Sequence, residues 1–162
     1  ADYVIIGEVR GNEVNTFFRS VTVGQGGLAT IHAQNVVDRL GTLLDEASRH
    51  FILVLDANVY MKKIRGCRVV DRITELNGDN GLATEKTLFS ATLANSNVTF
   101  TPDSISELVD SSRVLRKLRD LHYLDVEAEL HERLDFMAQN AGAPFSEFTK
   151  RLTSFYAGSS LK

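Results

Sequence analysis

Two short apolar runs, separated by a segment with helical periodicity, constrain the fold of this chain more than any other feature. Residues 3–6 read Tyr-Val-Ile-Ile, and residues 28–31 read Leu-Ala-Thr-Ile. Between them, apolar side chains recur at spacings of three and four over residues 13–22, which predicts a helix. The order strand, helix, strand predicts an α/β fold in which the two strands are parallel, adjacent and covered on both faces.

Polar residues stand shortly after each apolar run. Glu8 follows the first run, and His32 follows the second. The carboxyl ends of parallel strands lie at one edge of a sheet, where open α/β sheets bind their ligands, so we expect Glu8 and His32 to share that edge. A carboxylate in this position can orient or deprotonate a water that attacks a phosphate. Taken singly, a glutamate such as Glu8 is more often a solvated strand end, and a histidine such as His32 more often has a structural role.

The middle of the chain reads as a helix followed by hairpins. Apolar spacing predicts the helix over residues 35–48. The predicted strands occupy residues 52–64, 68–76, 87–92 and 97–100, with turns at 65–66 and 77–81. Strands joined by turn residues in this way predict two β-hairpins.

Residues 101–162 read as helical throughout. A first helix opens at Pro102, a second runs from Asp125 to Gly142, and a third begins at Pro144. The apolar face of the first helix comprises Ile105, Leu108, Val109, Leu115 and Leu118. The later helices are expected to bury Val126, Leu130, Leu134, Met137, Phe145, Phe148, Leu152, Phe155 and Tyr156. Three amphipathic helices joined by short loops predict a small helical bundle.

Composition and charge limit the classes of function. The chain has 162 residues, of which 43% are apolar and 24% charged, as in a soluble globular domain with or without a small appendage. A net charge of −3 argues against a nucleic-acid partner. The single Cys67 excludes an internal disulfide framework and a multi-cysteine zinc site. No apolar run reaches the roughly 18 residues that a membrane span requires.

Two segments resemble a known family. Residues 2–11, Asp-Tyr-Val-Ile-Ile-Gly-Glu-Val-Arg-Gly, closely resemble the Walker B segment of the traffic ATPases. Residues 24–33, Gly-Gln-Gly-Gly-Leu-Ala-Thr-Ile-His-Ala, resemble the histidine box of the same family. These ATPases power type II and type IV secretion, type IV pili and the archaeal flagellum. The order of helices in the C-terminal part is similar to the archaeal branch.

The resemblance implies a fold and a set of partners. It implies that residues 1–100 are the C-terminal portion of a RecA-like P-loop ATPase core with β-hairpins, without the P-loop half, and that residues 101–162 form a three-helix bundle. The parent protein would be a homo-hexamer that binds ATP and magnesium and acts on a membrane platform protein of a secretion or pilus system. It would be cytoplasmic, peripheral at the inner face of the cytoplasmic membrane, with no nucleic acid bound.

The resemblance also implies site residues. Glu8 would act on the water that attacks the γ-phosphate and would support the magnesium shell indirectly, and His32 would contact or sense the γ-phosphate region. The residues implied to line the nucleotide site are Gly7, Arg10, Gly26, Gly27 and Thr30. The glycines would allow close backbone approach. For Arg10, an ordinary surface or structural ion pair is an equally good interpretation.

Two departures from the family pattern bear on activity. Gln25 stands where the family usually has a histidine, and glutamine cannot titrate. The phosphate-binding sequence Gly-x-x-x-x-Gly-Lys-Ser/Thr does not occur in residues 1–162. We therefore expect the chain to be a fragment of a longer protein, to hold no cofactor alone and to hydrolyse no ATP alone.

Two other classes of function stay open. A non-catalytic interaction module that keeps the ATPase-like fold would fit both departures. A nucleic-acid-translocating relative is disfavoured by the acidic balance. The basic residues between positions 113 and 119 are interpreted as a solvated helix face or as a contact for a membrane partner or anionic lipid. The histidines interpreted as surface residues are His50, His122 and His131.

Overall fold

Helices and strands are mixed along the chain, which confirms the predicted α/β class. The computed structural model describes residues 2–64, 66–79, 82–94, 97–122 and 125–158. The chain divides into two compact units, Ala1–Lys117 and Leu118–Lys162. The first unit contains all the described strands, and the described part of the second is helical.

A β–α–β unit opens the chain. β1 (Tyr3–Val9) and β2 (Gly26–Ile31) are parallel neighbours, and α1 (Glu13–Thr22) connects them. The predicted helix and the predicted parallel pairing are therefore confirmed. The buried side chains of α1 are Val14, Phe17 and Phe18. Gly24 has a φ of +94°, a left-handed conformation that lets the chain turn from α1 towards β2.

α2 (Val36–Leu43) is shorter than the predicted helix. Asn35 caps its start by accepting a hydrogen bond from the Asp38 amide at 3.0 Å. The helix ends at Leu44, whose backbone is extended (φ −92°, ψ 143°) and whose side chain is buried. Burial of Leu44 against the core thus accompanies a change of backbone direction that the apolar spacing alone did not reveal.

A 3₁₀ segment, Glu46–Val54, follows α2. Asp45 caps it by accepting a hydrogen bond from the Ser48 amide at 2.8 Å. Residues 52–54 were expected to begin a strand, and that expectation is wrong. The Asp45 cap starts a new helical segment, so the first strand of the hairpin begins only at Asn58.

A four-stranded antiparallel sheet comes next, in the order β3-β4-β5-β6. Its strands are β3 (Asn58–Ile64), β4 (Cys67–Asp79), β5 (Leu82–Ala94) and β6 (Asn97–Thr101). Both predicted hairpins are confirmed. Residues 77–79, predicted to lie in a turn, belong to β4 and pair with β5 as far as Asp79 and Leu82. The rest of that predicted turn, residues 80 and 81, lies outside the described residues.

One hydrophobic core holds the first unit together. Its buried members are Val9, Val14, Phe17, Phe18, Leu40, Leu44, Ile52 and Leu76. They come from β1, α1, α2 and its end, the 3₁₀ segment and β4, so the parallel strands and the antiparallel sheet pack against shared side chains. Burying an apolar side chain of this size contributes about 1.5–3 kcal/mol before conformational entropy is subtracted.

Two helices stand where one was predicted after residue 101. α3 (Ile105–Ser111) and α4 (Arg113–His122) are separated at Ser112, whose backbone is extended (φ −85°, ψ 127°). Helical spacing of apolar residues continues across the break, so the sequence pattern does not indicate it. The break coincides with a buried carboxylate, Glu75, that binds the first amides of α4.

α5 (Val126–Gln139) and α6 (Phe145–Gly158) form a helical hairpin in the second unit. The Phe136 ring lies 5.8 Å from that of Phe148 and 4.6 Å from that of Phe155, measured between centroids. The side chains wrongly predicted to be buried are Leu134, Met137, Phe145 and Tyr156, exposed by 56%, 54%, 84% and 49%. The face of α5 that carries Phe136 meets α6, which leaves the face with Leu134 and Met137 open.

Candidate active site

The carboxyl ends of β1 and β2 lie side by side. The side chains at this edge, named the strand rim, are Glu8, Arg10, Thr30 and His32. The parallel register pairs Ile6 with Ala29, shifts, and then pairs Val9 with Ile31. Because both strands end at nearly the same level, residues that follow one strand are neighbours of residues that follow the other.

Glu8 contacts a different basic side chain at each carboxylate oxygen. The Arg10 guanidinium donates a hydrogen bond to Glu8 Oε2 at 2.6 Å. The His32 Nε2 atom lies 3.8 Å from Glu8 Oε1, and this contact is ionic when the imidazole is protonated. The predicted juxtaposition of Glu8 and His32 on neighbouring parallel strands is therefore confirmed.

The strand rim is open to solvent. The side chain of Glu8 is 30% exposed, that of Arg10 is 76% exposed and that of His32 is 93% exposed. The hydrogen bond from Arg10 holds the pKa of Glu8 below its ordinary value, so the carboxylate is ionised at neutral pH. An ionised carboxylate that water can reach can accept a hydrogen bond from that water, whereas the lowered pKa makes it a weaker base than an ordinary glutamate.

Thr30 ties the two strands together at the rim. Its hydroxyl donates a hydrogen bond to the Gly7 carbonyl oxygen at 2.5 Å. This bond crosses from β2 to β1 where the ladder register shifts, next to Glu8. The contact seen for Thr30 is thus with the backbone of the neighbouring strand, which holds the carboxyl ends of β1 and β2 at a fixed separation.

Glu13 fixes the loop that follows β1. Its carboxylate accepts hydrogen bonds from the amides of Arg10 and of Gly11, the latter at 2.8 Å. These backbone donors lower the pKa of Glu13 and keep it ionised. The sequence interpretation did not include Glu13. The available signal was an acidic residue in the first turn of a predicted helix, a position where carboxylates commonly bind free amides.

The three glycines of the predicted site differ in their surroundings. A Cβ atom at Gly27 would lie 2.4 Å from Val21 Cγ1 and 2.8 Å from Phe17 Cε2, so β2 packs directly on α1 there. A Cβ at Gly26 would lie 2.4 Å from the Tyr3 ring. Around Gly7, the described part of the chain places nothing within 4 Å of that position. Side chains of this chain therefore pack closely against the backbone at Gly26 and Gly27.

One face of the parallel pair is exposed. Tyr3 is 67% exposed, Ile5 is 73% exposed and Leu28 is 61% exposed. The prediction that both faces are covered is therefore wrong among the described residues, where α1 covers one face of the pair and the other is exposed. An apolar run has the same sequence whether its second face is covered by its own segment or by other parts of a protein.

Glu75 is the main polar residue that the sequence interpretation missed. Its side chain, on β4, is 1% exposed. The carboxylate accepts hydrogen bonds from Ser112 Oγ at 2.5 Å, the Arg113 amide at 2.7 Å and the Val114 amide at 2.9 Å. Burial raises the pKa of Glu75, but the Ser112 hydroxyl and the amides of α4 outweigh burial and leave that pKa below its ordinary value.

The remaining candidate groups stay apart. Among the described residues, no three or more His, Cys, Asp and Glu side chains are grouped so as to hold a metal ion. His50 and His131 are exposed, as predicted, whereas the His122 side chain lies outside the described residues. The exposed basic side chains of α4 are Arg113, Arg116, Lys117 and Arg119. Within the described chain, no helix combines the length and apolar character needed to cross a membrane.

Comparison with known proteins finds a distant archaeal relative. No family model matches the chain. The chain is 26% identical over 166 residues to the uncharacterized protein MJ1287 of Methanocaldococcus jannaschii. The match covers 95% of this chain but 60% of that relative, so the chain spans less than two thirds of the relative's length.

Proposed function

We propose that residues 1–162 belong to a hexameric ATPase of the traffic-ATPase type, which powers protein secretion or the assembly of a pilus or flagellum. The observation that carries the proposal is the 3.8 Å contact between Glu8 Oε1 and His32 Nε2 on adjacent parallel strands. The two residues come from the two segments that resemble the family's Walker B and histidine boxes. The rim supplies the water-activating side of the ATP site.

The chemistry assigned to the rim is transfer of the γ-phosphoryl group to water. The water oxygen forms a bond to the γ-phosphorus while Glu8 accepts a proton from that water. The bond between the γ-phosphorus and the bridging oxygen of ADP breaks, and ADP leaves. The His32 imidazole donates a hydrogen bond to an oxygen of the γ-phosphate. Magnesium prefers oxygen ligands and keeps several bound waters. The ionised Glu8 carboxylate would accept hydrogen bonds from such a water and so support the ion indirectly. Arg10 balances the charge of Glu8.

The longer protein is proposed to complete the parallel sheet. Parallel sheets in α/β proteins are covered on both faces, whereas Tyr3, Ile5 and Leu28 are exposed on one face here. The relative of this chain is also considerably longer than the matched region. We place the phosphate-binding loop, which residues 1–162 lack, on the additional strands of a RecA-like core.

The proposed assembly places the ring at the membrane. Residues 1–100 contribute part of the RecA-like core, and residues 101–162 contribute a helical bundle that transmits motion or makes subunit contacts. The partner is a membrane platform protein at the inner face of the cytoplasmic membrane. These assignments rest on the resemblance of residues 2–11 and 24–33 to the family.

Magnesium-dependent phosphate release tests the proposal. The chain of residues 1–162 alone is expected to release no phosphate from ATP, because no group holds the substrate against Glu8. The longer protein is expected to turn ATP over and to carry Gly-x-x-x-x-Gly-Lys-Ser/Thr before the Walker B segment. Turnover by residues 1–162 alone, or a longer protein without that sequence, would overturn the assignment.

A non-catalytic interaction module is the second candidate. Gln25, which cannot titrate, stands at a histidine position of the family pattern and favours this alternative. A longer protein that assembles into rings but releases no phosphate from ATP would support the module and exclude the motor.

A further inference from the structure

The segment that follows His32 is held by the antiparallel sheet. β2 ends at Ile31, and residues 32–35 are neither helix nor strand. The side chains that hold this segment, named the brace, are Tyr60 of β3, Arg72 of β4 and Glu85 of β5. The strands β3, β4 and β5 contribute one residue each, so the brace connects the sheet to the strand rim.

Tyr60 supplies the first contact of the brace. Its hydroxyl accepts a hydrogen bond from the Val36 amide at 3.0 Å and donates one to Glu85 Oε1 at 2.5 Å. The Tyr60 side chain is only 9% exposed, so its ring cannot move freely. Burial and the bond to Glu85 raise the pKa of Tyr60, which keeps the hydroxyl protonated and able to donate.

Arg72 supplies the second contact. Its guanidinium lies 3.7 Å from the centroid of the Tyr60 ring, a cation–π distance. The same group donates a hydrogen bond to the Gln34 carbonyl oxygen at 3.2 Å and another to Asp71 Oδ2 at 3.3 Å. Tyr60 and Arg72 face each other in the ladder between β3 and β4, so the sheet register sets their stacking.

We propose that Tyr60, Arg72 and Glu85 are positioning residues that fix His32 against Glu8. The His32 side chain is 93% exposed and gains little from packing, so its place depends on the backbone on either side. On one side is β2, held to β1 by Thr30. On the other side, the brace holds the carbonyl of Gln34 and the amide of Val36. The importance of this positioning for hydrolysis rests on the proposed function.

Nuclear magnetic resonance on residues 1–162 tests the brace without nucleotide. Tyr60→Phe keeps the ring beneath Arg72 but removes the hydroxyl. The rate of hydrogen exchange at the Val36 amide is expected to rise roughly five- to tenfold, because the amide loses its one hydrogen bond to the Tyr60 hydroxyl. The nuclear Overhauser contact between the His32 ring and the Glu8 side chain is expected to be lost, because that signal falls with the sixth power of distance.

Arg72→Lys is the second variant, since it keeps the charge but not the planar stack or the fork of donors. It is expected to weaken the same His32 contact and to leave the Tyr60 hydroxyl in place. The matched control is Tyr156→Phe, which removes a hydroxyl that accepts a bond from Arg133 at 3.1 Å in the second unit. This control is expected to leave the His32 contact and Val36 exchange unchanged.

Either of two results would contradict the proposed positioning role of the brace. Either unchanged exchange at Val36 in Tyr60→Phe, or an intact contact between His32 and Glu8 in both variants, would show that β2 alone positions His32. Neither result bears on whether the longer protein hydrolyses ATP. In that protein, Tyr60→Phe is expected to lower kcat and to leave the KM for ATP unchanged, whereas a purely stabilising tyrosine would change neither in a folded enzyme.

Discussion

Glu8 and Glu75 are both strand glutamates with a lowered pKa, yet their surroundings differ. Glu8 lies at the end of β1, is 30% exposed, and its partners are the solvent-exposed side chains of Arg10 and His32. Glu75 lies inside β4 and is 1% exposed. Its partners are a buried hydroxyl and two backbone amides at the start of α4.

The difference separates a structural carboxylate from one suited to chemistry. The donors of Glu75 are fixed by the fold, so any change of partner leaves buried groups unsatisfied. Glu8 is able to exchange Arg10 for water or substrate at little cost, because both groups are hydrated when apart. A lowered pKa therefore does not identify a functional carboxylate unless the exposure of the carboxylate and of its partners is considered with it.

The largest expected effect is the loss of stability on removing Glu75. Glu75→Ala leaves the Ser112 hydroxyl and two amides of α4 without their acceptor, at a cost of about 3 kcal/mol in the free energy of unfolding. Urea denaturation followed by circular dichroism measures it. Glu8→Ala is the matched control and is expected to leave the unfolding midpoint unchanged. Equal losses for the two variants would break the comparison.

Packing behind the strand rim gives the next largest effect. Gly27→Ala places a methyl group against Val21 and Phe17, whose atoms lie within 2.9 Å of the new Cβ, and is expected to cost about 2 kcal/mol. Gly7→Ala meets nothing within 4 Å and is expected to change stability by less than about 0.5 kcal/mol. Thermal denaturation of both variants checks this. A loss of stability in Gly7→Ala would show that other atoms fill the space beside Gly7.

The smallest expected effect on stability is a pH dependence assigned to Glu75. Its pKa in the folded chain is below the ordinary value of 4.5. The stabilisation is therefore fully present above about pH 4.5 and is lost as the pH falls through the folded pKa. The gap in unfolding free energy between the wild type and Glu75→Gln, about 1 kcal/mol at pH 7, is expected to narrow below pH 4.5. Urea titrations at a series of pH values measure it, and a gap that widens in acid would contradict the assignment.

Local patterns were sufficient for the parts of the fold that neighbouring residues decide. The spacing of Val14, Phe17 and Phe18 predicted α1, because a single buried stripe requires that period. The two apolar runs predicted β1 and β2. Their common direction then placed Glu8 beside His32, since parallel strands end at the same edge.

Contacts between distant side chains and backbone were not predictable from such patterns. Glu75 meets the start of α4 about 38 residues later, and Tyr60 meets Val36 across 24 residues. These contacts leave no periodic signal in the sequence. The break at Ser112 coincides with the Glu75 contact, and it too leaves no periodic signal in the sequence.

Turnover of ATP by the longer protein carrying Glu8→Gln measures whether Glu8 takes the proton from the attacking water. The substitution keeps the size of the side chain and removes its capacity to take a proton. We expect kcat to fall by about 100-fold or more, while ATP binding and ring assembly stay unchanged. Turnover within about twofold of the wild type, below the effect that general-base catalysis normally contributes, would contradict a role of Glu8 in activating water.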